Sequence, residues 1–502
     1  MGLEYAHKGY EYQDLLCALF ITEQLLTSDN ATFKVDKKES KNDKFDDITI
    51  ISSNGILKRQ IKYSEDKILQ KADLSSASYD LALDILFKSW QETISAGTID
   101  LRICLAWEYI EGNGELDFLK EVNCYNLYND ENVKFLKIDI DSIWENGRLP
   151  KSSWRRLRSQ AQNINREDFG AFLNDLIIEI NLPKSSNNIA NPAALESLVI
   201  SKLKKLGVGK YPNHSKSVED VLLNLTHIVK SSRARGEELS FTTILYRLGL
   251  KNDFGNIQQD FVIDKDLNVI NEFRYQHFYD FIFTNQKTVL IGQPGSGKSW
   301  FLQNFIEYLK NHSVKIVQHY CYTGIDDLYE KERITINVFL ANLINDIIIV
   351  YPNLAECKST KYGVDLDELQ TLINNIKEEI VFIIDGLDHI GRIYNFHKSI
   401  IKEVDTEIIK VLSKLKFPEN IRVVLASQPI AEVIQLTDDS YEVFNVLPWD
   451  INDTEKLLTN NGFGDINLDR NVKLSNLLMK KSNGNPLYLT YLINELKGYS
   501  PT

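Results

Sequence analysis

The 502 residues carry 57 Lys+Arg against 70 Asp+Glu, a net charge of −13, with 43% hydrophobic and 25% charged residues. That is an ordinary globular balance, about three average domains long. It excludes a uniformly basic nucleic-acid coat protein, so any nucleic-acid contact has to be local. The five cysteines (Cys17, Cys104, Cys124, Cys321, Cys357) form no C-x-x-C pair, which argues against a disulfide framework or a zinc site and fits a reducing cytoplasm. The start "MGLEYAHKGYEYQDLL" has no basic stretch ahead of an apolar block, so no signal peptide is expected. The apolar runs are too short or interrupted to cross a bilayer, so no membrane partner is expected.

In chain order, "GYEYQDLLCALFITEQLLTSD" spaces Leu15, Leu16, Leu19, Phe20, Leu25 and Leu26 three to four apart, which predicts an amphipathic helix. "ATFKVDKKE", "DDITIISS" and "ILKRQIKYS" predict three strands, with Asn54-Gly55 as the turn between the last two. A helix is expected around "SYDLALDILFKSWQETIS", then strands at "IDLRICLAW" and "VKFLKIDI". This alternation predicts an α/β domain over residues 1–185. Residues 152–250 read as mostly helical, broken by "PKSSNNIANP" and "GVGKYPNHSKS", and 251–275 read as a connector. A helical extension and linker are therefore assigned to 186–270, and a second α/β domain to 271–502.

"GQPGSGKS", Gly292, Gln293, Pro294, Gly295, Ser296, Gly297, Lys298 and Ser299, fits G-x-x-x-x-G-K-[ST]. It follows the buried-strand signal "TVLI" and precedes an amphipathic helix, the setting the motif requires. Glycines let backbone N–H groups curl around phosphate oxygens, and the helix start adds partial positive charge. Lys298 is expected on the β- and γ-phosphates of ATP, and the Ser299 hydroxyl on Mg²⁺. "EEIVFIIDGLDHI" is a buried strand ending in Asp385, the place where a P-loop enzyme holds its metal, and Asp388 is a candidate for positioning water. "IRVVLASQP" ends in Ser427 and Gln428, and "SNGNPLYLTYLI" holds a Gly484-Asn485-Pro486 turn ahead of a helix.

Taken together, "GQPGSGKS", "FIIDGLDHI", "VVLASQP" and "GNPLYL" resemble the STAND branch of P-loop NTPases, which includes NACHT and NB-ARC proteins. The resemblance spans roughly residues 272–495 and implies a nucleotide-gated oligomerisation switch rather than a motor. His389 stands where many members have Glu, and Gln428 where Arg is common, which implies slow hydrolysis. Members normally continue into a winged helix and a trigger-sensing repeat array, so the expectation is either a truncated chain or a compact relative whose sensor is elsewhere.

The hairpin "DDITIISSNGILKRQIKYS" opens on Asp46 and Asp47 and closes on Gln60, Ile61 and Lys62. Alternation puts Gln60 and Lys62 on one face of their strand. A lysine on a half-buried sheet needs an answering charge, which Asp46 or Asp47 can supply. The pattern D-x(12)-Q-x-K resembles the PD-(D/E)XK nuclease core with Gln in place of the usual Glu. That resemblance implies Asp47 and Gln60 as metal ligands and Lys62 as the group that orients water and stabilises charge on phosphate. An amide in place of a carboxylate leaves room for another acid: Glu39 is the nearest candidate, with Glu23 on the first helix behind it. "GYEYQ" with "DDITI" and "QIKYS" resembles the Mrr-like subgroup at the N-terminus of bacterial antiviral STAND effectors, in which the helix Gln, here Gln13, lies by the active site. Arg155, Arg156 and Arg158, or Arg233 and Arg235, are candidates for phosphate contacts or for plain solvated helix faces.

The expectation is an α/β chain: a restriction-endonuclease-like α/β/α domain with a helical extension, followed by a P-loop STAND NTPase domain. The two resemblances imply an anti-phage, ATP-gated, Mg²⁺-dependent DNA endonuclease acting on double-stranded DNA in the cytoplasm. They imply a homo-oligomer, a tetramer among the candidates, with a phage protein as trigger. An ATP-driven restriction or repair nuclease and a nucleotide-switched non-enzymatic scaffold remain the alternatives.

Overall fold

The computed structural model describes residues 2–53, 55–93, 99–145, 149–186, 188, 190–464, 467–469 and 472–499. The chain divides into two compact units, Met1–Gly209 with Asn213–Asn252, and Lys210–Pro212 with Asp253–Thr502.

In the first unit, α1 (Gly2–Thr27) leads into β1 (Ala31–Val35), β2 (Ile48–Ser52) and β3 (Gly55–Ile68), an antiparallel meander. Of the expected turn, Asn54 lies outside the described residues. After α2 (Leu83–Thr93), β4 (Ile99–Glu108) runs parallel to β3. β5 (Leu119–Glu121), β6 (Lys134–Ile138), α3 (Arg166–Asp175) and β7 (Leu176–Ile180) follow, then α4 (Ala194–Leu206), α5 (Val218–Arg235), β8 (Glu238–Ser240) and α6 (Phe241–Leu248). The sheet has eight strands in the order β8-β1-β2-β3-β4-β7-β6-β5.

The described residues of 152–250 are mostly helical, as expected, apart from the three-residue β8 and strand β7. Its "LIIEI" lies between β4 and β6, parallel to the first and antiparallel to the second. A short apolar run of this kind carries no period that separates strand from buried helix. Its neighbours decide.

The two faces of the sheet are covered by different helices. Leu101, Ile103 and Leu105 of β4 pack with Phe87 and Trp90 of α2 and Phe169 and Phe172 of α3. Arg59 lies on the opposite face of β3 from Lys58, Gln60 and Lys62, and its guanidinium stands over Phe20 of α1. α1 is not the amphipathic surface helix its spacing predicts. Tyr12 to Phe20 are all buried, because α4 and α5 close over the side turned away from the sheet.

In the second unit, α7 (Glu272–Thr284) precedes β9 (Lys287–Ile291), α8 (Lys298–Asn311), β10 (Lys315–Tyr320), α9 (Ile336–Val350), β11 (Ile380–Asp385), α10 (His389–His397), β12 (Ile421–Ser427) and β13 (Glu442–Asn445). The five strands are all parallel, in the order β10-β11-β12-β9-β13. The inner strands β11, β12 and β9 read as largely apolar runs because both their faces are covered. Ile380, Phe382 and Ile384 pack with α9, while Val381 and Ile383 pack with α7 and α8. Three helices, α11 (Ile451–Asn460), α12 (Leu474–Ser482) and α13 (Pro486–Tyr499), form a smaller core with Val269. No described helix is long and apolar enough to cross a membrane.

Candidate functional sites

The hairpin of the first unit brings Asp47, Gln13 and Gln60 together. Asp47 is buried just ahead of β2. Its Oδ1 accepts from Nε2 of Gln13 at 2.8 Å, and its Oδ2 from Nε2 of Gln60 at 2.6 Å and from the backbone N–H of Ile61. Burial pushes the Asp47 carboxyl up to about 7, against the pull of the Ile61 N–H and the Lys62 charge. Lys62 is half-buried and makes no hydrogen bond or ion pair among the described residues.

Glu39 does not join this group. Its carboxylate accepts from Nζ of Lys34 at 2.9 Å and Nζ of Lys58 at 3.2 Å. Glu23 is likewise taken, by Lys202 at 2.6 Å and the Tyr125 hydroxyl at 2.7 Å. Charge neutralisation explains both placements, since each carboxylate lies against a lysine ammonium. Lys58 went unnoticed in the sequence, although it shares a strand face with Gln60 and Lys62. Its side chain is fully buried, 2.7 Å from Asp43, and Asp43 also accepts from the backbone N–H groups of Glu39 and Phe45. Lys58 thereby pins the loop that delivers Asp46 and Asp47. Mg²⁺ requires oxygen donors. Asp47 supplies two, and Gln13 and Gln60 supply one each when their amides, which here present N–H to Asp47, are turned over. Among the described residues no group of three or more His, Cys, Asp and Glu could hold a metal. Such an ion would fill its other positions with water and phosphate.

The arginine clusters are partly spent within the fold. Arg156 pairs with Asp84 at 2.8 Å, Arg158 with Glu145 at 3.3 Å, and Arg233 with Asp14. Arg155 and Arg235 are exposed, with no hydrogen bond or ion pair among the described residues.

In the second unit the loop 292–297 joins β9 to α8. Gly295 and Gly297 have φ of 75° and 81°, a left-handed path that favours glycine. A Cβ on Gly295 would lie 2.9 Å from Cβ of Leu487. The Gly484-Asn485-Pro486 turn is therefore packed directly on the phosphate loop. Leu487 N–H donates to the Gly295 carbonyl at 3.2 Å, and Asn485 Nδ2 to the Pro294 carbonyl at 3.3 Å. Lys298 donates to the Gly292 carbonyl at 2.8 Å and the Gln293 carbonyl at 3.5 Å, and burial lowers its pKa. The Ser296 hydroxyl is buried without a hydrogen-bond partner.

Asp385 ends β11, and β12 separates that strand from β9. Both of its carboxylate oxygens are buried and accept no hydrogen bond of normal geometry. Burial pushes its pKa up to about 6, while the neighbouring Ser299 hydroxyl draws it down. A carboxylate orphaned beside a hydroxyl at a phosphate loop is the donor set that a Mg²⁺–nucleotide completes.

Residues 286–460 match the NACHT domain.

This stretch is thus a STAND-type P-loop nucleotide-binding domain, and the match takes in the phosphate loop, Asp385, Asp388 and Gln428. A protein of Acanthamoeba polyphaga mimivirus named as a bifunctional polynucleotide phosphatase/kinase is 32% identical over 130 residues. The chain spans 29% of that protein's length, using 24% of its own.

The NACHT cavity measures about 530 Å³, a size that takes a nucleotide. Asp388 accepts from the Gln428 backbone N–H at 3.0 Å, which ties the loop after β11 to the end of β12. Sequence reasoning missed the wall away from the phosphates. Leu267 and Val269, inside the expected connector, line it with Arg274, Tyr275 and Trp449. Arg274 is held by Asp453 of α11 at 2.7 Å. No local motif marks such residues, because the chain folds them in from both ends of the domain.

Proposed function

We propose that the chain is an anti-phage effector in which an ATP-gated NACHT domain controls a Mg²⁺-dependent endonuclease in residues 1–185, carried on a helical extension over 186–270. The single observation carrying this reading is the buried Asp47 carboxylate bonded by Gln13 and Gln60, with Lys62 beside it lacking a hydrogen bond or ion pair among the described residues. When bound, a divalent ion supplies Lewis acidity at a scissile phosphate. Asp47 and the Gln60 amide oxygen would hold it, and the Ile61 N–H fixes the carboxylate's orientation. Lys62 orients the attacking water and answers charge developing on the phosphoryl oxygens. Arg155 and Arg235 are available to double-stranded DNA as phosphate contacts without reading sequence. Nucleotide binding at Lys298, where Ser299 and Asp385 would hold the accompanying Mg²⁺, drives homo-oligomerisation, and paired nuclease units then cut both strands. A phage protein fits as trigger.

The test compares wild type with Lys62→Ala and Lys298→Ala on plasmid DNA with Mg²⁺ and ATP. Lys62→Ala should lose cutting while still binding ATP, and Lys298→Ala should lose nucleotide binding and assembly. Normal plasmid degradation by Lys62→Ala refutes the nuclease reading. The partial mimivirus relative motivates a second reading, transfer or removal of phosphate at polynucleotide ends. End-labelled duplexes separate the two, since internal cutting shortens the strand and end chemistry does not.

A further inference from the structure

Arg274, Lys298 and Arg392 line the NACHT cavity, and their commitments differ. Arg274 is fixed by Asp453 and by the carbonyls of Leu447 and Pro448, at 3.1 and 2.9 Å. Lys298 lies at the start of α8, donating to its own loop. Arg392, one turn into α10 beyond Asp388, makes no hydrogen bond or ion pair among the described residues. Its guanidinium stands 4.9 Å from the centre of the Tyr322 ring.

That ring is a built platform. His389 stacks on it at 4.3 Å with planes 13° apart. Gly386 has φ of 80°, and a Cβ there would lie 3.3 Å from the Tyr322 backbone nitrogen. The glycine thus allows the loop after Asp385 to approach Tyr322. Burial and the Arg392 charge together favour neutral His389, against the pull of Asp388, so His389 adds an aromatic surface rather than a second cation. A guanidinium resting on an aromatic face is partly desolvated, pre-oriented, and keeps its forked N–H edge for a phosphate. At the end of β12, Gln428 is neutral and its backbone N–H is spent on Asp388.

We propose that Arg392 reads the terminal phosphate of the bound nucleotide and so makes the pocket distinguish a nucleoside triphosphate from a diphosphate. This rests on the nucleotide-binding reading of the cavity. A terminal phosphate brings negative charge into a site that already holds Asp385 and Asp388, and Arg392 adds to Lys298 a forked guanidinium that makes no hydrogen bond or ion pair among the described residues. Tyr322 is the positioning residue that aims it.

Calorimetric titration of the full chain with Mg²⁺ and either ADP or the β,γ-imido analogue of ATP tests this. Wild type should favour the triphosphate. Arg392→Ala should lose triphosphate affinity on the order of ten- to a hundredfold, as expected for lost charge-assisted bonds, with ADP affinity retained. Arg392→Lys should restore part of the preference, because charge returns without the fork, and Tyr322→Leu should fall between. Melting curves confirm that each variant is folded. A wild-type ratio near one, or an Arg392→Ala ratio equal to wild type, overturns the proposal. Lys298→Ala tests the underlying reading separately, since unchanged binding of both nucleotides there means the cavity is not the nucleotide site.

Discussion

Replacing Asp385 with Asn removes a charge that burial disfavours and that the Ser299 hydroxyl and the Lys298 charge offset only in part. The carboxyl rises from its ordinary 3.8 to about 6, mainly through burial. At about 1.36 kcal/mol per pH unit, that difference is a penalty of ~3 kcal/mol on the folded state whenever Asp385 is ionised. The sign follows from the direction of the shift. A carboxyl whose folded pKa is raised favours folding below the unfolded value and loses that contribution as pH rises through the folded value. The wild-type deficit is therefore absent near pH 3.8, grows toward about 6 and is complete above it. Asn keeps a buried polar group without partners, so the expected gain at pH 7.5 is ~1–3 kcal/mol. For a domain of this size that is roughly 2–12 °C in melting temperature. Denaturant titrations of nucleotide-free wild type and Asp385→Asn at pH 4.5 and pH 7.5 measure it. Mg²⁺ with ATP should reverse the order, stabilising wild type and not the variant. A variant less stable than wild type at pH 7.5, or a gap independent of pH, refutes the account of Asp385 as an orphan awaiting a cation.

Lys58→Met should destabilise the first unit by ~3–5 kcal/mol, since it strands the buried Asp43 charge; Asp43→Asn in the same chain should recover part of this in a denaturant titration. The Mg²⁺ concentration that half-saturates plasmid nicking should fall as pH rises toward about 7, because an ion binding at Asp47 has to displace the proton that burial favours there; a half-saturation value independent of pH from 5.5 to 8.5 removes Asp47 as a ligand. Gly386→Ala should cost ~1–2 kcal/mol in the second unit's unfolding, because an L-residue is strained at φ of 80° and meets the Tyr322 backbone. It should also weaken triphosphate binding by displacing the platform under Arg392, read by the same calorimetry.

What the sequence determined by itself is chemistry built into a few consecutive residues. A phosphate loop needs its glycines, lysine and serine in one strand-to-helix turn, so Gly292 to Ser299 were legible without a fold. Asp385 was legible because an unbroken apolar run ending in an acid states both a buried strand and its exit. Asp47, Gln60 and Lys62 were legible as a hairpin because alternation fixes which side chains share a face. Tertiary structure alone decided the rest. Whether "LIIEI" is a strand depended on β4 and β6 lying on either side of it. Glu39 was drawn to Lys34 and Lys58 because β1 and β3 flank β2 and bring the two lysines level with Thr49 between them. The cavity wall came from Leu267, Arg274 and Trp449, and Arg392 was left without an ion-pair partner among the described residues; both are outcomes of long-range packing. Period and motif report backbone conformation over a few residues, whereas the answer to a charge depends on which distant segment arrives beside it.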